Sequence, residues 1–233
     1  LSYNCFIFGT KSEIFRIKAN IMYFQEAIAP YAGQPLTQQL LLDILREYKR
    51  PYDKITELVK QEQLIQVKRG LYIPGAKLKL PPPVSFLLAN HLYGPSYVSL
   101  DSALSFHGLI PERVFEISSM TLRAAKTYDT NAGRFSYTKM PQPYYSYGIQ
   151  SAELATNQVA LVATPEKALC DRIINTSQLQ LRSVKQTIDF LTKDLRIEKS
   201  SLRQLDAGAI SRWIKIAPKK TSLAMLVKTL NSL

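Results

Sequence analysis

Lys49, Arg50, Lys54, Lys60, Lys68 and Arg69 crowd into one stretch of the chain, and cations gathered this closely suit the neutralisation of successive phosphates. The elements that must position them follow from two periodicities. From Pro51 onward Ile55, Leu58 and Val59 recur at helical spacing, with Lys54, Glu57, Lys60 and Gln61 on the other face, so the segment reads as a short amphipathic helix. The pattern then switches to period two. Leu64 and Val67 bracket a β-prone run, Lys68-Arg69-Gly70 turns, and Leu71-Tyr72-Ile73 returns. A helix running straight into a hairpin with a basic tip is the recognition-helix-plus-wing half of a winged helix-turn-helix. In that arrangement Arg50, Tyr52, Lys54, Thr56 and Lys60 face a groove, with Lys49 beside them, while Lys68 and Arg69 lie on phosphates.

The residues upstream supply the rest of such a unit. A short helix is expected from Met22 to Tyr31, ended by Gly33 and Pro35. Thr37 then caps a helix through Tyr48 with Leu40, Leu41, Ile44 and Leu45 facing inward, and Pro51 disfavours helical geometry at Arg50. Residues 1–21 mix aromatic and β-branched residues with scattered charges. They read either as sequence upstream of a start at Met22 or as an arm that adds a strand to a partner.

The chain has 233 residues, enough for two domains, with 46% hydrophobic and 21% charged residues, as in an ordinary globular protein. Its formal charge of +12 favours a polyanionic partner. The excess sits at the ends: 12 basic against 7 acidic residues over 1–80, 5 against 4 over 81–150, and 13 against 7 over 151–233. Cys5 and Cys170 belong to no metal or redox spacing, and a reducing cytoplasm is the expected location. No apolar run of the roughly eighteen residues needed to span a membrane occurs, nor a signal peptide's compact apolar core.

Pro81-Pro82-Pro83 reads as a semi-rigid spacer, placing a boundary between a domain over 22–80 and another over 81–233. A helix follows from Val84 to Leu92. Ser99 then caps another, with Leu100, Ala103, Leu104 and Phe106 inward and Gly108 at its end. Strand-like runs at Val114–Leu122, Phe135–Met140, Tyr144–Ile149 and Val159–Ala163 suggest a small antiparallel sheet. Tyr137, Tyr144, Tyr145 and Tyr147 make it aromatic, which suits either a base-stacking face or a sheet of half-buried tyrosines. Thr164, Pro165 and Glu166 punctuate the start of a helix carrying Ala168, Leu169 and Ile173, and short helices complete the chain. There Arg203, Arg212, Lys215, Lys219 and Lys220 form a solvated face or a second anion-binding surface. The expected fold class is therefore α+β: a winged helix-turn-helix, then a mixed domain with a small antiparallel sheet and a helical C-terminal part.

P-loop, GxGxxG, GxSxG and HExxH patterns are missing. Asp171 and Glu166 share a helix with Lys167, and Asp101 lies near His107, a grouping open to acid–base chemistry but equally explained by caps and surface ion pairs. His107 reads as a base or ligand, or as a helix C-terminal histidine favoured by the dipole. No enzyme, cofactor or metal is expected.

Three blocks, KRGLYIP over 68–74, YVSLDSALSFHGLIPE over 97–112 and VATPEKALCDRI over 162–173, together resemble the AbiEi-like abortive-infection family, the antitoxins of bacterial type IV toxin-antitoxin systems. The resemblance runs from about Met22 to the end of the chain. It implies a winged helix-turn-helix that represses its own operon by holding double-stranded operator DNA, and a second domain that counteracts a nucleotidyltransferase-like toxin. DNA contact would fall to the helix beginning near Tyr52 and to Lys68-Arg69, while Ser99–His107 and Thr164–Asp171 would belong to the antitoxin domain. Two copies on inverted repeats, or cooperative binding on adjacent sites, are expected. One departure stands out: the helix is poor in Arg and Asn, the side chains that read bases bidentately. The rival expectation is a protein-interaction module in which the winged helix is only a scaffold.

Overall fold

The computed structural model describes residues 23–112 and 114–233, so the expected extension over 1–21 and the start at Met22 lie outside the described residues. The described chain is a mixed α+β protein of two compact units that divide between Pro83 and Val84.

In the first unit a helix (α1) over 23–28 buries Phe24 and Ile28, and a single 3-10 turn, Ala29–Tyr31, follows. The two residues of β1, Leu36–Thr37, lead into α2, Gln38–Ile44, whose Leu40 N–H donates to the Thr37 hydroxyl at 3.2 Å. That is the expected cap. The helix stops at Ile44 rather than reaching Tyr48. Leu45 stays in the core while its backbone leaves helical geometry, and the chain turns there because Pro51 excludes a helical Arg50 and starts the next helix itself. This helix, α3, spans Pro51–Lys60 and buries Ile55 and Leu58 against Phe24, Ile28, Leu41, Leu45, Leu64 and Leu78.

The hairpin then forms from β2, Leu64–Lys68, and β3, Leu71–Pro74. Ile65 pairs with Ile73 and Gln66 with Tyr72, after which a bulge at Val67 brings Lys68 opposite Leu71. An extra residue on one strand sharpens the local twist. Arg69 and Gly70 make the tip, with Gly70 at φ +81° where a side chain would be strained. The antiparallel order is β1-β3-β2.

In the second unit six strands form one sheet in the order β6-β7-β5-β4-β9-β8. They are β4 (Ser96–Val98), β5 (Glu116–Thr121), β6 (Lys126–Thr130), β7 (Gly133–Lys139), β8 (Ile149–Ala155) and β9 (Gln158–Ala163). The sheet is mixed, not antiparallel as expected: β5 runs parallel to β7, and β4 parallel to β9. The first parallel pair arises because the β6–β7 hairpin folds back and inserts β7 beside β5, leaving the polar strand β6 on the edge. Short and charged, β6 carries no burial signal and does not stand out in the sequence.

The strand expected over Tyr144–Ile149 is instead a 3-10 turn, Tyr144–Ser146, followed by β8 from Ile149. Pro141 and Pro143 cannot donate to a ladder, and Gly148 at φ +63° leaves extended geometry. The helices are α4 (Ser85–Leu92), α5 (Leu100–Phe106), α6 (Pro165–Asn175), α7 (Val184–Asp189), α8 (Lys199–Leu202), α9 (Ala207–Trp213) and α10 (Lys220–Leu230), and α7 runs on as a π-helical turn, Phe190–Asp194.

Cys170 sits fully buried on α6, and burial pushes its thiol up to about 12. The thiolate, the reactive form, is therefore scarce at neutral pH. Iodoacetamide at about pH 8 should leave the tryptic peptide carrying Cys170 unmodified in the native protein and label it fully after unfolding in urea. Mass spectrometry reads the difference.

Candidate nucleic-acid interface

The outward face of α3 carries Tyr52, Asp53, Thr56, Glu57 and Lys60, all exposed, as helical periodicity dictates once Ile55 and Leu58 turn inward. Tyr52 is 59% exposed, a large ring with no place in the core. Lys49 and Arg50 are exposed ahead of the helix, Lys60 at its end and Arg69 at the hairpin tip, while Lys68 is half-buried. An open concavity of about 400 Å³ is lined by Tyr48, Lys49, Arg50, Asp53, Lys54 and Glu57.

Two of the expected residues are turned back on the protein. Lys54 Nζ lies 3.0 Å from Glu57 Oε1 and 5.5 Å above the Tyr48 ring, with its side chain only 11% exposed, so it lies flat along the helix instead of projecting. Thr56 donates its hydroxyl to the Tyr52 carbonyl at 3.0 Å, one turn back. Arg50 Nη1 is 3.7 Å from Asp53 Oδ2, a fully exposed pair of little energetic weight. Asp53 and Glu57 thus lie on the same face as the cations and offset part of their charge. Lys49, Lys60 and Arg69 have no ion-pair partner among the described residues.

The carboxylate expected to serve caps or surface pairs is elsewhere. Asp171 and Lys167, one turn apart on α6, are both completely buried, with Nζ 3.3 Å from Oδ1. Ser99 and Tyr97 donate hydroxyls to Asp171 Oδ2 at 2.8 and 3.0 Å, and Lys167 Nζ donates to the Tyr144 carbonyl at 3.0 Å. The ammonium also stands 3.2 Å above the Tyr144 ring. Desolvation raises the Asp171 carboxyl above its ordinary range, opposed by Lys167, Ser99 and Tyr97. It lowers the Lys167 ammonium, opposed by Asp171.

Ser99 does take the N-cap position of α5, but its side chain makes no capping bond and is committed to Asp171 instead. Nothing in α6 itself signals this cluster: Lys167, Asp171 and Asn175 recur at helical spacing as an ordinary polar stripe would, and only the fold covers the first two. Asp171 is fully buried. Tyr97 could not be tied to it from sequence, since the two are joined only through the fold.

His107 has its Nε2 2.8 Å from the Ala163 carbonyl, so that nitrogen carries a proton and the ring ties α5 to the end of β9. Asp101 pairs with Arg172 at 2.8 Å. Of the basic C-terminal set, Lys219 donates to the Ile173 and Thr176 carbonyls and closes the C-terminus of α6, where a cation also complements the helix dipole. Arg203 donates to the Leu233 carbonyl, and Arg212 lies 3.6 Å from Asp206. Lys215 and Lys220 are exposed.

Among the described residues no group of three or more His, Cys, Asp or Glu side chains is placed to hold a metal ion, and no helix is long and apolar enough to cross a membrane. No protein-family model matches the chain, and no curated protein matches it.

Proposed function

We propose that the chain is a cytoplasmic transcriptional repressor that binds double-stranded DNA through an N-terminal winged helix-turn-helix and acts as the antitoxin of a type IV toxin-antitoxin pair. It occupies the promoter of its own operon and counteracts a nucleotidyltransferase-like toxin. The observation that carries the reading is the order α2, turn, α3, hairpin, with Tyr52 and Lys60 exposed along α3 and Arg69 exposed at the tip of a hairpin tied into a three-stranded sheet. A helix of this kind enters a major groove while the hairpin tip follows the backbone. Lys49, Lys60, Lys68 and Arg69 neutralise phosphates, and Arg50 exchanges its weak partner Asp53 for DNA. With Lys54 laid along the helix and the Thr56 hydroxyl committed to the Tyr52 carbonyl, base contact falls mainly to Tyr52, so affinity is expected to be dominated by backbone and shape. The antitoxin half rests on the sequence blocks over 97–112 and 162–173. Both contribute to one buried network, Tyr97 and Ser99 from the first and Lys167 and Asp171 from the second.

Asp53 and Glu57 favour a second reading, a protein-interaction module, because carboxylates on the helix face are repelled by phosphates. Replacing Lys68 and Arg69 together by Ala separates the two. If the wing lies on phosphates, binding weakens across all duplex sequences and the salt slope falls by roughly one to two units. An unchanged slope overturns the wing assignment. Failure to retain duplex at low salt, with capture of the product of a neighbouring nucleotidyltransferase-like gene, supports the interaction module instead.

A further inference from the structure

Charge along the β5–β6–β7 half of the large sheet is sorted by position. At one end Arg134 Nε lies 3.0 Å from Glu116 Oε2 and 3.7 Å from Asp129 Oδ1, consistent with its register opposite both residues. Three residues further along β7, about 10 Å at the usual strand rise, Lys126 stands opposite Tyr137, and Lys139 stands opposite Thr121 two positions beyond. Arg123 lies in the loop from β5 to β6. Arg123, Lys126 and Lys139 are all exposed, and none has an ion-pair partner among the described residues. The near-balance of charge over 81–150 hides this separation: acids gather at one end, unpaired cations at the other.

The cationic end is also aromatic. Tyr93, at the end of α4, Tyr128 on β6 and Tyr137 on β7 have ring centroids 5.2 to 5.9 Å apart. Tyr137 is buried and donates its hydroxyl to the Ala89 carbonyl at 2.7 Å, while Tyr93 donates to the Ala124 carbonyl at 3.2 Å. The rings are held in place before any ligand arrives, yet Tyr93 and Tyr128 remain partly exposed. Lys126 Nζ stands 4.7 Å above Tyr128 and 6.0 Å from Tyr93, and Arg123 Cζ stands 5.6 Å above Tyr93. Cation–π contacts account for the order of this edge. They do not account for three cations collecting without a carboxylate beside an edge strand.

We infer that this edge of the second unit binds single-stranded nucleic acid, with Arg123, Lys126 and Lys139 on successive phosphates and unpaired bases stacking on Tyr93 and Tyr128. Fixed aromatic faces beside a basic track are what sequence-tolerant single-strand binding requires. A duplex keeps its bases within its own stack and cannot use the rings. An acidic peptide would meet the cations and leave the tyrosines idle. None of its residues belongs to α3 or the hairpin, so it stands or falls independently of the duplex-binding reading.

Fluorescence anisotropy of a labelled oligothymidylate of about twelve nucleotides with the full chain, in roughly 50 mM salt, tests it. Binding is expected. It should weaken roughly tenfold or more in Arg123→Ala with Lys126→Ala and at least about fivefold in Tyr128→Ala. Tyr128→Phe should restore it, and Lys68→Ala with Arg69→Ala should leave it unchanged. Trp213 fluorescence during urea unfolding monitors the integrity of the same unit. Should Tyr128→Ala disturb that transition, the exposed Lys139→Ala takes its place and is expected to weaken binding severalfold. The inference is overturned by no binding, by indifference to Tyr128→Ala in a folded protein, by equal competition from polyglutamate, or by loss of binding in the Lys68 and Arg69 variant.

Discussion

Asp171→Ala is expected to destabilise the second unit by about 3 to 5 kcal/mol, because it strands the Lys167 ammonium in the interior without its countercharge. It also leaves the Ser99 and Tyr97 hydroxyls without their acceptor. Lys167→Ala should cost a similar amount, orphaning the carboxylate instead. Replacing both by apolar residues of similar size, Lys167→Met with Asp171→Leu, should recover much of the loss, since the desolvation of two charges disappears with them. The sign of the pH dependence follows from the burial. In Asp171→Ala the folded-state Lys167 pKa lies below its ordinary 10.5 and has lost the partner that raised it. A group depressed in this way stabilises fully above its unfolded pKa and loses that contribution as pH falls through the folded one. The deficit relative to wild type should therefore shrink as pH rises toward 10.5. In Lys167→Ala the Asp171 pKa lies above its ordinary 3.8, so that deficit should shrink on acidification. Urea unfolding followed through Trp213, the sole tryptophan and 95% buried in this unit, measures each difference. Equal stability of Asp171→Ala and wild type across pH would mean that the pair is not enclosed.

Gly75→Ala is expected to open the first unit, at a cost of about 3 kcal/mol or more, near the upper end of overpacking effects. A Cβ there would lie 2.1 Å from the Glu62 carbonyl oxygen and 2.9 Å from the Gln63 carbonyl carbon, both backbone atoms that no rotamer change can move aside. The Gly75 N–H donates to the Gln63 carbonyl at 2.7 Å, closing the base of the hairpin against the end of α3. Shifting either strand to admit a methyl group breaks that bond and displaces Leu64, part of the core on which α3 rests. Hydrogen exchange should show lost protection over residues 62–78, with duplex binding falling in parallel. Native-like protection there would remove the steric argument.

What the sequence made legible was local. The amphipathic pattern around Ile55 and Leu58 fixed which side of α3 faces out, and Lys68-Arg69-Gly70 marked the hairpin tip, because helical and alternating periodicities are written into neighbouring residues. Thr37, Thr164 and Pro165 marked helix starts for the same reason. The parallel pairing of β5 with β7 was not legible, since it depends on where a hairpin inserts and not on any residue within it. Nor was the enclosure of Lys167 and Asp171, whose partners Tyr97 and Ser99 lie about seventy positions away. At the candidate interface helical spacing placed Tyr52, Thr56 and Lys60 on the exposed side of α3, but the rotamers of Lys54 and Thr56 were set by Glu57, Tyr48 and the Tyr52 carbonyl, contacts that spacing does not reveal.

A cationic hairpin tip and an outward helix are proposed to engage a duplex together. Affinity of the full chain for its own promoter duplex, measured across a salt series, tests it most directly. With Lys49, Lys60, Lys68 and Arg69 on phosphates, log K should fall linearly against log salt with a slope of roughly −3 to −4 per copy bound. A slope near zero, or no retention of duplex even at about 50 mM salt, would contradict it.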